Sequence, residues 1–75
     1  MNDQQQIQKA IEAALVQRWD AAHKIVQDME CKEAYWIHAI LHKIEGDISN
    51  SRYWYHRAGV EFSNEDPVTE LKRIQ

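Results

Sequence analysis

His38 and His42 stand four residues apart, and Glu45 follows three further on. On a helix these spacings put all three side chains on one face. Two imidazoles and a carboxylate so placed can ligate zinc or another transition metal. They do not make the His-Glu-x-x-His signature of a zinc protease, because Ala39 stands where its catalytic Glu would be. His56 is a further candidate ligand, so the metal alternative comprises His38, His42, Glu45 and His56. The leading expectation is a hydrogen-bonded seam between two helices, since imidazole suits a half-buried position. No cofactor goes with that reading, zinc or another transition metal goes with its alternative, and no catalytic residue is assigned.

Glu45 and Asp47 flank Gly46. Paired carboxylates can do acid–base work, but they also terminate helices. Asp47 suits the cap of a following helix. Glu45, at a helix C-terminus, opposes the dipole and calls for a cationic partner, with Arg52 and Arg57 as candidates. Tyr53, Trp54 and Tyr55 are consecutive, so a helix points them in three directions. Trp54 and Tyr55 lie toward the apolar stripe, and Tyr53 points away. An outward Tyr beside Arg57 is a candidate interface anchor. The candidate partner-binding residues are therefore His38, His42, Glu45, Arg52, His56 and Tyr53. Trp19 and Trp36 are expected in the core with their indole N–H groups satisfied. Cys31, the only cysteine, reads as an inert small hydrophobe.

Helices must position these groups. The chain has only two glycines and one proline, all in its second half, and lacks the closely spaced turn clusters that strands require. Apolar residues recur at three and four: Ile7, Ala10, Ile11, Ala14 and Leu15; then Trp19, Ala22, Ile25, Val26 and Met29; then Ala34, Ile37, Ile40, Leu41 and Ile44. The spacing predicts a first helix from a cap at Asn2 or Asp3 to about 17, a second over about 18–29 and a third over about 32–45. The first two are separated only by a shift of the stripe, which leaves one long bent helix as an alternative. Gly46 ends the third helix, and a fourth runs to about 58 with Ile48, Ser51, Trp54, Tyr55 and Ala58 inward. Gly59 ends it. Asp66 and Pro67 open a short C-terminal helix that offers Val68, Leu71 and Ile74 for packing. The fold class is all-α: a small bundle of four main helices plus a short C-terminal one, in a single domain over 1–75 whose hairpin core is 32–59.

Seventy-five residues bury only a marginal core. With no disulfide possible, aromatic packing and oligomerisation remain as ways to stabilise it. A homodimer that covers leftover apolar surface near Tyr53, Trp54 or the 68–74 segment is expected. A net charge of -3 argues against broad nucleic-acid binding. No apolar run approaches the roughly 20 residues needed to span a bilayer. The start Met-Asn-Asp-Gln-Gln-Gln has neither the basic nor the apolar region of a secretory signal, so a cytoplasmic location and no membrane partner are expected.

The segment around Trp36, Ala39, Gly46, Asp47, Ser51, Tyr55 and Ala58 resembles a unit of the tetratricopeptide class of helical-hairpin repeats. That resemblance covers about residues 34–59. It implies a TPR-like antiparallel hairpin, with small residues where the helices approach and aromatics wedged between neighbours. It also implies a peptide-recognising face drawn mainly from the first helix, here Tyr35, His38, His42 and Glu45, with Arg52 and His56 toward the same seam. The chain departs from the class in having room for two such units at most. The string His-x3-His-x2-Glu-Gly-Asp-x2-Asn-x2-Tyr-Trp-Tyr-x-Arg-Ala-Gly, His38 to Gly59, is also similar to a group of small bacterial proteins that bring no known activity. The expected function is a non-enzymatic protein-interaction module with a protein or peptide partner. The alternative is a transition-metal-binding protein or metal-dependent enzyme that uses the His/Glu face.

Overall fold

The computed structural model describes residues 3–74. They form five helices: α1 (Asp3–Leu15), α2 (Trp19–Val26), α3 (Lys32–Glu45), α4 (Ile48–Ala58) and α5 (Pro67–Ile74). No strand occurs among the described residues. None of these helices is long and apolar enough to cross a membrane. A cap at Asn2 lies outside the described residues.

Three helices end on a residue in the left-handed conformation: Gln17 (φ 66°), Gly46 (φ 84°) and Gly59 (φ 73°). The hydrogen bonds are the same each time. Gln17 N–H reaches Ala14 O and Arg18 N–H reaches Ala13 O; Gly46 pairs with Lys43 O and Asp47 with His42 O; Gly59 pairs with His56 O and Val60 with Tyr55 O. This is the Schellman arrangement, which satisfies carbonyls that a helix end leaves open. It settles the α1–α2 boundary as a true break, made without glycine. The left-handed state costs a residue with a Cβ about 1–2 kcal/mol, and glycine gives part of this back through its freer unfolded chain. Gln17→Gly is therefore expected to stabilise the protein by about 0.5–1 kcal/mol. A urea midpoint that moves up at unchanged m-value checks it, and a lower midpoint would contradict the turn.

The starts are equally local. Asp47 caps α4, its carboxylate accepting from Asn50 N–H at 3.4 Å and from Asn50 Nδ2 at 2.7 Å. These bonds hold the Asp47 carboxyl below its usual range. Asp66 caps α5 by accepting from Thr69 N–H at 3.1 Å. Pro67 fills the first helical position, where no N–H is needed.

Helix α3 packs against all four others, whereas α4 packs against α3 alone and α5 against α1 and α3. The last helix thus folds back across the bundle instead of lengthening the row beyond α4. The core is built of Ile7, Ala10, Ile11 and Ala14, Ala22 and Val26, Ala34, Ile37, Ala39, Ile40 and Leu41, with Tyr55 and Leu71 from the outer helices. Its many alanines let the axes approach. At the α3–α4 seam Ser51 is fully buried and its hydroxyl donates to Ala39 O at 2.8 Å. Ile48, expected inward, is 41% exposed. It stands in the first turn of α4, a helix whose backbone closely approaches α3 alone. Val68 is likewise 40% exposed, and α2 ends at Val26, three residues short of the expected Met29.

Helix α5 is held by a buried carboxylate. Glu70, 1% exposed, accepts from Trp36 Nε1 at 2.8 Å, from Tyr55 OH at 2.6 Å and from Lys43 Nζ at 2.6 Å. Lys43 also donates to Ser63 O at 2.9 Å and Glu65 O at 3.1 Å, which fixes the loop before α5. Burial, then the bond to Glu70 and its charge, push the Tyr55 phenol well above its ordinary value, so it stays a donor. Arg73 and Glu65 pair at the surface.

Candidate functional site

Helix α2 brings to α3 a side chain that the sequence did not single out. His23 stands four residues after Trp19 and three before Val26, at the edge of the α2 stripe. That spacing was the available signal. In the fold His23 Nε2 lies 3.1 Å from His38 Nε2, and one ring nitrogen each from His23, His38 and His42 lie within 4.8 Å of one another. His38 is buried and His23 and His42 are half-buried.

The rings are ordered. His38 lies nearly parallel to the Trp54 indole, with centroids 3.9 Å apart, and to His42 at 4.9 Å. His23 stands edge-on to His38 at 4.7 Å and to His42 at 5.8 Å. The Ser51 bond holds α4 close enough to α3 for Trp54 to reach His38. On the far side, His42 Nδ1 lies 3.4 Å from Glu45 Oε1 and 3.9 Å from Asp47 Oδ2. Neither contact is an aligned hydrogen bond, and this buried nitrogen has no hydrogen-bond partner. The neighbour of Glu45 is thus His42, not Arg52 or Arg57. Both arginines are engaged by aromatic rings across or beyond the seam.

His38 is pushed down from its ordinary 6.5 to about 4, first by burial, then by the charges of His23, His42 and Arg57. It is neutral at pH 7. The unfolded chain takes up a proton near 6.5 and the folded chain only near 4, so in that window the unfolded state holds more protons. The contribution is fully present above about 6.5 and is lost as pH falls toward 4. After discounting for solvent screening it amounts to about 1–2 kcal/mol. Urea midpoints at pH 7.5 and 4.5 in chelator should fall further for wild type than for His38→Gln; equal falls would contradict the buried neutral ring.

The other candidates lie elsewhere. Arg52 sits over the Phe62 ring at 4.6 Å, and with His56 it lines a shallow depression formed by Tyr55, Gly59, Val60 and Phe62. Neither residue joins the histidine group, so the metal set expected from sequence loses His56 and Glu45 and gains His23. Tyr53, 52% exposed, stands edge-on to Trp54 at 5.2 Å. Arg57, a spacing signal only in part, organises this surface. Its guanidinium lies 4.5 Å from the Tyr35 ring centre, 5.0 Å from Trp54 and 5.9 Å from Tyr53, and donates to Tyr35 OH at 3.2 Å. Chemically, the interior group offers three imidazole rings with converging nitrogens, and the surface group offers a cation framed by aromatic faces. No protein-family model, curated protein or solved structure matches the chain.

Proposed function

We propose that this protein is a non-enzymatic interaction module, whose contact surface on the α3–α4 hairpin is centred on Arg57 and framed by Tyr35, Tyr53 and Trp54. One observation carries the reading: three aromatic rings surround a guanidinium on a helix that only α3 covers. Tyr, Trp and Arg dominate the energetics of protein contacts, because they present large rigid area with a polar handle. Cation–π contacts of about 0.5–1 kcal/mol each at exposed sites hold the guanidinium in place before a partner arrives, which lowers the entropy cost of binding. The partner suited to it is a protein or peptide that offers a carboxylate to Arg57 and an apolar side chain to Tyr53. The resemblance to hairpin repeats also makes the hairpin the contact element, with a face drawn mainly from α3, of which this surface shares Tyr35. A second copy of the chain is the other occupant that the exposed Tyr53 favours.

The test compares wild type with Tyr53→Ala and Arg57→Ala. Both variants should keep the helical signal and lose the partner captured by cross-linking in native extract. Sedimentation at micromolar concentration identifies self-association. A captured set unchanged by both substitutions, with a strict monomer, refutes the reading.

A further inference from the structure

We infer that His23, His38 and His42 form a binding site for one divalent transition metal ion of the zinc class. This goes beyond the interaction surface and rests on different residues.

Three observations support it. First, the donor atoms already converge. Two zinc–nitrogen bonds of about 2.0–2.1 Å at a tetrahedral angle hold their nitrogens about 3.3 Å apart. His23 Nε2 and His38 Nε2 are 3.1 Å apart, and the third nitrogen completes a group within 4.8 Å. Small side-chain rotations close the remainder. Second, a ring-to-ring hydrogen bond leaves the group incomplete. It uses one N–H and one lone pair of His23 and His38, and does not engage the nitrogen that His42 brings into the group. A cation takes one lone pair from each ring at once. Third, the charge is arranged for it. The carboxylates of Glu45 and Asp47 lie 3.4 and 3.9 Å from His42 Nδ1 and offset part of the added positive charge.

The donor set selects the ion. Three imidazoles and no oxygen ligand suit zinc, cobalt, nickel or copper, and not calcium or magnesium. Three protein ligands leave a fourth position, which water reaches past the half-buried His23 and His42 rings. On binding, the ring that donates Nε2–H in the free protein passes that proton through solvent to its own Nδ1. The lone pair then faces the metal, and no redox change occurs. The ion would bridge α2 to α3 and supply the cross-link that a chain of this size otherwise lacks.

The experiment uses the full chain, purified without a histidine tag and stripped with chelator. Zinc chloride is titrated calorimetrically and thermal unfolding is followed in parallel. One ion per chain with micromolar or tighter affinity is expected, with a Tm rise of roughly 10 °C at a hundredfold excess over Kd. Magnesium chloride should give no rise. His23→Ala and His42→Ala, at half-buried positions, should fold by circular dichroism and lose affinity about 100-fold. His56→Ala should bind as wild type. The inference is overturned by no one-to-one binding below about 100 µM zinc. Wild-type affinity in His23→Ala, or a loss in His56→Ala as large as that in His23→Ala, would also overturn it.

Discussion

Glu70→Ala is expected to destabilise the protein by about 3–5 kcal/mol, the cost of breaking a buried ion pair from one side. Lys43 would keep two carbonyl acceptors but lose its countercharge, and the half-buried Trp36 Nε1 and buried Tyr55 OH would lose their acceptor. A chain of this size has a total stability of roughly 4–11 kcal/mol. The variant should therefore be partly unfolded at 37 °C and show a much lower urea midpoint. The apolar double variant Lys43→Met, Glu70→Leu should recover only part of the loss. Removing both charges is often neutral in other proteins, but here two neutral donors remain without a partner. A loss under about 1 kcal/mol for Glu70→Ala would contradict a buried carboxylate.

Ser51→Leu should cost about 3 kcal/mol. Ser51 and Ala39 are fully buried at the α3–α4 seam. Added methylenes force the helices apart at about 1–3 kcal/mol, and the lost hydroxyl leaves Ala39 O without the Ser51 bond. Ser51→Ala removes only that bond and should cost about 1 kcal/mol. The contrast between the two, read as urea midpoints, isolates the steric part. Near-equal costs would mean that α4 can shift freely on α3.

What could be read from sequence follows the range of the interactions. Helix ends at Gly46 and Gly59 and caps at Asp47 and Asp66 are decided within five residues, and each is found where the chain pattern put it. The small pair Ala39 and Ser51 was legible for the same reason, as part of a hairpin pattern. Gln17 gave no signal, because a residue with a Cβ rarely takes the left-handed state. The groups that depend on tertiary placement were the least legible. Lys43 and Glu70 are 27 residues apart, and each resembles an ordinary surface charge in its own helix. His23 joins His38 only through the α2–α3 packing angle, which no local spacing encodes.

Helices α4 and α5 share no close backbone approach, yet Tyr55 of one is bonded to Glu70 of the other. Their opening is therefore coupled. If α5 detaches, α4 loses its hydrogen bond to that helix, and Tyr55 OH loses its carboxylate acceptor. In native-state amide exchange the two helices should behave as one cooperative unit, with matching protection and a matching response to urea. The α1 amides should open separately, since α1 also packs on α2 and α3. A single carboxylate thus sets how the molecule breathes as well as how firmly it stands.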